Sequence, residues 1–132
     1  MPVNNGKKIR VCYVLPVYDP DTDTHFSYLY DLIARAGETL QIYLVIERRA
    51  KSAVSIPNIA GVYVQRYHFL PFRFAENFLV LFFLRLAGYG KIYVHYSYLS
   101  GFNAGLVTRL CTGTSYYWNC GMPWLFGEDS FL

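Results

Sequence analysis

The feature that most limits the possible folds is a short apolar run near the start of the chain, KIRVCYVL at Lys8–Leu15. Val, Ile and Tyr dominate this run and its part Ile9–Leu15 has no polar face, which is typical of a strand covered by helices on both sides. We therefore predict that it forms the central strand of a mostly parallel sheet, and that this strand ends at Pro16.

The rest of the chain alternates between helix and strand patterns. Apolar residues recur at helical spacing in three segments, and short apolar runs predict four further strands. The predicted helices are Phe26–Ala36, Pro71–Ala87 and Ser100–Leu110, and the further strands are Gln41–Ile46, Val62–Tyr67, Lys91–His95 and Ser115–Trp118. This order of elements predicts a single Rossmann-like α/β domain with helices on both faces of its sheet.

Two local predictions accompany these elements. Gly37 follows the first helix at a position where a left-handed residue is expected. The segment ERRAKSA, which starts at Glu47, is polar and is predicted to be a connection between strands.

Composition narrows the possible functions. The chain has 132 residues, enough for one buried core, and it is 54% hydrophobic and 16% charged, which excludes a disordered chain. Aromatic residues make up 19% of it, more than such a core needs, so we expect a few of them to line a binding face. A net charge of +3 without a long basic run does not suit nucleic acid, and it suits an anionic membrane surface or a phosphate-bearing ligand.

The chain has three cysteines, Cys12, Cys111 and Cys120, and no two of them have CxxC spacing. This argues against a disulfide framework and against a zinc site, so we expect no metal and a reducing, cytoplasmic setting. The first ten residues lack the apolar core of a signal peptide. The nearest approach to a spanning segment, Phe74–Gly90, contains two charged residues, so we expect no transmembrane helix.

Missing motifs disfavour several common functions of α/β proteins. The loop after the first strand reads LPVYDPDTD and has no glycine, unlike a GxGxxG dinucleotide site. The chain has no GxxxxGK[ST] phosphate loop and no GxSxG nucleophile elbow. The first strand also lacks the pair of acidic residues with which a phosphoacceptor receiver would end it.

Polar residues that follow strands are candidates for a site, because open α/β sheets bind ligands at the carboxyl ends of their strands. In the first loop, Asp21 and Asp23 are better explained as helix caps. Asp19 lies nearer the strand end and suits capping and a ligand site equally well. His25 is either an exposed residue or a partner for a sugar hydroxyl.

The clearest polar cluster directly follows the fourth strand and consists of His95, Tyr96 and Ser97. Hydroxyl-rich ligands need donors, acceptors and ring faces together, so we predict sugar binding here. The alternative is a histidine whose partners are backbone groups at the strand end. After the fifth strand, Asn119 is either a hydrogen-bonding site residue or a turn residue, and Cys120 is predicted to be a passive thiol.

Five segments together resemble a known family. KIRVCYVLP, ARAGETLQIYLVI, KIYVHYSY, GFNAGLVTRL and SYYWNCG, within Lys7 to Pro123, resemble the N-terminal domain of GT-B glycosyltransferases, family 4 in particular. The resemblance implies two facing Rossmann-like domains, of which the N-terminal one binds a sugar or glycolipid acceptor and the C-terminal one binds the nucleotide-sugar donor. On that basis we expect residues 1–132 to be the acceptor-side domain, with the absent donor domain acting in cis or in trans and with no metal or other cofactor on this half.

The resemblance also suggests roles for the candidate residues. Relatives often have glycines in the first loop, where VYDPDTDT has none, and a histidine after the fifth strand, where this chain has Asn119 or Cys120. Asp19 and His25 therefore become the candidate catalytic residues. The candidate acceptor-binding residues are His95, Tyr96, Ser97 and Asn119.

Two other functions fit the same sequence. The chain could be a non-catalytic binding or membrane-recruiting subunit of a two-chain transferase, or it could be an unrelated flavodoxin-like interaction domain.

The predicted helix Pro71–Ala87 bears on membrane binding, because it is apolar almost all the way round. Either it is buried deeply, or an apolar flank that includes Phe82 and Phe83 is exposed and suits an anionic membrane or a partner chain. The basic residues expected near that flank are Arg66, Arg73, Arg85 and Lys91.

Overall fold

The structure, a computed structural model, describes residues 8–18, 27–50 and 53–118. Its strands and helices follow one another in the predicted order. They are β1 (Ile9–Tyr18), α1 (Ser27–Ala36), β2 (Leu40–Ala50), β3 (Gly61–Val64), α2 (Leu70–Leu86), β4 (Lys91–His95), α3 (Tyr98–Cys111) and β5 (Thr114–Trp118).

The five strands form one parallel sheet in the order β3-β2-β1-β4-β5. β1 is central, which confirms the prediction made from its apolar run. This is the order of the first five strands of the dinucleotide-binding sheet, whereas a flavodoxin sheet has the order 2-1-3-4-5. The fold is therefore a Rossmann-like α/β sheet, and the flavodoxin-like alternative is wrong in its strand order.

Two clusters of buried apolar side chains lie on opposite faces of the sheet, because successive side chains of a strand point to opposite faces. The first cluster joins α1 to β1 and β2, and its members include Leu15, Leu29, Ile33, Leu44 and Ile46. The second joins α2 and α3 to the central strands, and its members include Cys12, Val14, Val45, Leu81, Val94 and Val107. Helices thus cover both faces, as predicted.

β1 is longer than predicted, since it continues through Pro16 to Tyr18. Its pairing with β2 shifts at this point: Leu15 pairs with Ile46, whereas Val17 pairs with Arg49. Proline has no N–H to donate to the ladder, and the extra residue on β2 allows pairing to resume beyond it. The predicted end at Pro16 is therefore wrong.

β2 also extends past its predicted end, through Glu47 to Ala50, so the prediction of a connection beginning at Glu47 is wrong. Glu47 is only 1% exposed. A carboxylate is tolerated inside a strand when the protein itself supplies its hydrogen bonds, and here the hydroxyls of Ser97 and Ser100 do so.

Gly37 is required for a reason other than the predicted one. Its backbone is not left-handed, a conformation that occurs instead at Gly88 after α2, with φ 104°. A Cβ at position 37 would collide with the main-chain carbonyl of Asn58 in the turn before β3. The glycine therefore allows the end of α1 to approach this turn closely.

α2 has an apolar outward face. Phe72, Leu79, Phe83 and Leu86 recur at helical spacing and are between 49% and 62% exposed. Phe82 is half-buried against the second cluster, so of the two phenylalanines predicted to be exposed only Phe83 is. The prediction that the whole helix is deeply buried is thus wrong.

With 17 residues α2 is the longest described helix, and none of the described helices could cross a membrane.

The basic residues expected near this face differ in their surroundings. Arg66 and Lys91 are exposed. Arg73 lies beside Glu47, with its Nε 3.5 Å from a carboxylate oxygen. Arg85 donates from Nε to the main-chain carbonyl that follows α3, at 2.6 Å. Two of the four cations are therefore engaged within the protein.

Candidate functional site

The strand order creates a switch point between β1 and β4. α1 leaves β1 on one face of the sheet, whereas α2 reaches β4 from the other, so a crevice is expected at the carboxyl ends of these strands. Of the predicted site residues, Asp19, His25 and Asn119 lie outside the described residues. Their catalytic and acceptor-binding roles stay predictions.

His95, the last residue of β4, is 4% exposed and lies in a stack of aromatic rings. Its ring centroid is 5.6 Å from that of Tyr13 and 5.9 Å from those of Tyr93 and Trp118. Nδ1 shares a hydrogen bond of 3.0 Å with the hydroxyl of Tyr13, so this partner is a side chain and not the backbone.

Burial lowers the pKa of His95 to about 4, because the charged imidazolium would lose its hydration. The ring is therefore neutral at physiological pH. A neutral imidazole can donate one hydrogen bond and accept another, which suits a hydroxyl ligand better than an anion.

Tyr96 has a left-handed backbone, with φ 63°, at the turn between β4 and α3. Its N–H donates to the carbonyl of Trp118 at 2.8 Å, and its ring lies 5.2 Å from that of His95. This conformation costs a bulky residue about 1–2 kcal/mol. Backbone strain of this kind clusters at ligand sites, where the surrounding structure holds a side chain in place.

Ser97 caps α3, since its Oγ accepts a hydrogen bond from the N–H of Ser100 at 3.1 Å. The same hydroxyl donates to Glu47, and Ser97 is 8% exposed. Its donor and one lone pair are thus used within the protein, which leaves one lone pair for a ligand. The acceptor-binding role of Ser97 stays a prediction.

A buried polar cluster centred on Glu47 lies next to Ser97. One carboxylate oxygen of Glu47 accepts from Ser97 and, at 2.8 Å, from Ser100, and Arg73 lies beside the other oxygen. An unpaired buried carboxylate costs several kcal/mol. Here two hydroxyls and a guanidinium compensate for the lost hydration.

The polar cluster continues through three amide side chains. Asn77 Nδ2 donates to Ser100 Oγ at 2.9 Å and to Gln65 Oε1 at 2.8 Å. Asn103 Nδ2 donates to Asn77 Oδ1 at 2.9 Å. Because its members come from β2, the end of β3, α2 and α3, the cluster fixes both helices against the carboxyl ends of the strands.

Sequence reasoning missed this cluster, although a local signal existed. Tyr43, Val45 and Glu47 alternate along β2, and the first two contact the α2 and α3 face. Continuing the alternation puts Glu47 on the same buried face. Asn77 and Asn103 likewise occur within apolar helices and are both fully buried.

A second buried carboxylate closes the end of β3. Glu76 accepts from the hydroxyl of Tyr63 at 2.5 Å and from the N–H groups of Arg66 and Tyr67 at 3.0 and 3.1 Å. Burial raises the pKa of Glu76, but these donors outweigh it and hold the pKa below its usual value. The same hydrogen bond raises the pKa of Tyr63 to about 12.

The described residues offer hydrogen bonds and charge but no group that could hold a metal, and the thiol of Cys12 is not activated. Within residues 8–18, 27–50 and 53–118, no group of three His, Cys, Asp or Glu side chains could hold a metal ion. Cys12 is fully buried, and burial raises the pKa of its thiol well above the usual range. Such a thiol is inert at neutral pH.

Comparison with known proteins assigns neither a family nor a function to this chain. No protein family, curated protein or solved structure matches the chain significantly. Function is therefore inferred from the strand ends and from the resemblance seen in the sequence.

Proposed function

We propose that this chain is the acceptor-binding half of a glycosyltransferase, which transfers a sugar from a nucleotide-sugar donor to a glycan or glycolipid acceptor. One observation carries the proposal: neutral His95 and strained Tyr96 lie together at the switch point of a Rossmann-like sheet. Ligands of such sheets bind at this point. The resemblance to GT-B glycosyltransferases of family 4 supplies the reaction class.

The acceptor would lie at the carboxyl ends of β4 and β5. Trp118 is 47% exposed beside His95 and offers an aromatic face to a sugar ring. The acceptor hydroxyl attacks the anomeric carbon of the donor sugar, the nucleoside diphosphate leaves, and a base takes the hydroxyl proton. The candidates for this base are Asp19 and His25.

The expected partners are a donor domain, in cis or in trans, and a membrane surface at which a glycolipid acceptor is presented. A groove of about 640 Å³ runs beside α2, and exposed Arg66 lines it together with Leu79 and Phe83. Apolar side chains beside a cation suit the interface of an anionic, cytoplasmic membrane face. A non-catalytic, membrane-recruiting subunit of a two-chain transferase would use the same surfaces.

Ligand-observed NMR with the full chain tests the proposal. A panel of glycans, short-chain glycolipids and nucleotide sugars is titrated, and at least one acceptor is expected to bind while nucleotide sugars do not. Trp118→Ala should weaken acceptor binding about tenfold, since a stacked ring contributes roughly 1 kcal/mol. Tyr116→Ala is the matched control, because Tyr116 is 46% exposed on the same face of β5 and farther from the strand end.

Two outcomes would count against the proposal. Binding of a nucleotide sugar without any acceptor would contradict an acceptor-side role. Equal losses in the two variants would place the acceptor away from the strand ends.

A further inference from the structure

A small cavity lined by basic side chains lies at the same end of the sheet. It measures about 360 Å³, and its walls are Val17 in β1, Arg48 in β2, His68 in the β3–α2 connection and Arg73 in α2. We call it the basic pocket. Its three polar walls all carry nitrogen donors.

Arg73 is held in position by the protein. Its Nη1 donates to the carbonyl of His68 at 3.3 Å, and its Nε lies 3.5 Å from Glu47 Oε2. That Nε is buried and has no hydrogen-bond partner among the described residues. A guanidinium fixed in this way loses little conformational freedom when it binds an oxyanion.

Arg48 adds a second positive charge to the pocket, and no described residue compensates it. It is exposed, and it makes no hydrogen bond or ion pair with any described residue. Within the described part of the pocket, two guanidiniums, of Arg48 and Arg73, face one nearby carboxylate, that of Glu47. The described residues at the pocket therefore carry a net positive charge even when His68 is not counted.

The start of α2, which follows the pocket residue His68, has a positive helix-dipole end and exposed apolar side chains. Phe69, the N-cap residue, makes no side-chain hydrogen bond to this helix, and the first turn has no acidic residue, so these residues leave the positive end of the helix dipole uncompensated. Phe69, Leu70 and Phe72 lie between His68 and Arg73 in the sequence, and they are 66%, 57% and 58% exposed. The segment that joins two walls of the pocket, His68 and Arg73, thus carries exposed apolar side chains.

We propose that the basic pocket binds the phosphate group of a membrane lipid, with Phe69, Leu70 and Phe72 inserted at the boundary between headgroups and acyl chains. Arginine pairs with phosphate oxygens through two parallel hydrogen bonds, which favours phosphate over a carboxylate or a neutral headgroup. Apolar insertion beside a phosphate site is how an interfacial helix end gains affinity from both parts of a lipid. The identification of this lipid as the acceptor rests on the proposed function, whereas phosphate binding does not.

Vesicle co-sedimentation with the full chain tests the basic pocket. The probes are vesicles of phosphatidylcholine alone, of phosphatidylcholine with phosphatidic acid, and of phosphatidylcholine with enough oleate to give the same surface charge. We expect at least tenfold stronger binding to phosphatidic acid than to either of the others. Arg48→Gln should lower the phosphatidic acid partition constant about tenfold, as expected for the loss of a charge-assisted hydrogen bond.

Arg109→Gln is the matched control, because Arg109 is an exposed residue of α3 and its loss changes the net charge equally. It should change the partition constant less than twofold. His68→Gln tests the pocket a second time, and circular dichroism checks that each variant is folded. Equal losses for Arg48→Gln and Arg109→Gln, or equal binding to the phosphatidic acid and oleate vesicles, would overturn the phosphate site.

The source of the phosphate is tested with inorganic phosphate and with dihexanoyl phosphatidic acid. If both bind with the same dissociation constant, the pocket recognises a soluble phosphate and the lipid part of the proposal is wrong. Binding to phosphatidic acid through Arg48 without binding of any sugar acceptor would leave the phosphate site standing and contradict the proposed function. The reverse result would contradict only the phosphate site.

Discussion

The buried histidine at the end of β4 makes folding stability depend on pH. The pKa of His95 is about 4 in the folded protein and 6.5 when unperturbed, so the unfolded chain binds the proton more readily between these values. Stability from this residue is therefore fully present above about pH 6.5 and is lost as the pH falls toward about 4. From about pH 7 to pH 5 we expect a loss of about 2 kcal/mol.

Urea unfolding of the wild type and of His95→Gln at the two pH values measures this loss. The variant should be less stable at about pH 7, because the aromatic stack is disturbed, but its stability should fall about 2 kcal/mol less on acidification. Arg109→Gln is the control, since Arg109 is an exposed residue of α3, and it should follow the wild type. The same pH dependence in all three proteins would mean that His95 is protonated in the folded state.

At the scale of the element, α2 combines a buried polar side with an exposed apolar one. Asn77 and Glu76 face inward and are hydrogen-bonded, whereas Leu79 and Phe83 face outward and are 49% and 62% exposed. This reverses the usual amphipathic arrangement of a surface helix. An exposed apolar face of this kind indicates an interaction surface.

We expect the double variant Leu79→Gln/Phe83→Gln to bind anionic vesicles about tenfold more weakly than the wild type, because two apolar side chains no longer leave water. Its free energy of unfolding should change by less than about 1 kcal/mol, since both residues are exposed. Leu110→Gln, 63% exposed on α3, is the control and should keep vesicle binding. Binding of the wild type should also weaken in about 1 M salt, which screens the contribution of charge.

Vesicle binding by the double variant at the wild-type level would show that Leu79 and Phe83 do not touch the membrane. A loss of more than about 2 kcal/mol of stability would instead indicate that this face packs against protein.

At the scale of the whole molecule, the described residues form one sheet with one set of strand ends. If the proposed function is correct, residues 1–132 alone should transfer no sugar, because GT-B chemistry holds the acceptor on one domain and the donor on another. Transfer requires both substrates to be held in line. The measurement is release of nucleoside diphosphate from a panel of nucleotide sugars in the presence of acceptors. Turnover by this chain alone would refute the two-domain mechanism, and activity that appears only when a donor domain is added would support it.

Local patterns in the sequence were sufficient to predict the fold class. The apolar run Ile9–Leu15 indicated a strand buried on both sides, and β4 begins and ends at the predicted residues, Lys91 and His95. The central position of β1 and the presence of helices on both faces were also predicted. These features follow from the periodicity of apolar residues, and this periodicity can be read from a short stretch of the sequence.

The sequence predicted the candidate site only in part, and the cause of this is physical. The polar cluster after β4 was identified from the sequence, but the burial of Glu47 was not, because its hydroxyl partners on Ser97 and Ser100 are 50 and 53 residues away. A charged residue is stable inside a protein only if hydrogen-bonding or oppositely charged groups surround it there. Here those groups are distant in the sequence, so no local pattern indicates their presence. The basic pocket depends on the same condition, since Arg48 and Arg73 come together only when β2 and α2 are folded. Local patterns thus predict which segments form strands and helices, whereas the burial and pairing of individual charges follow from contacts between distant segments.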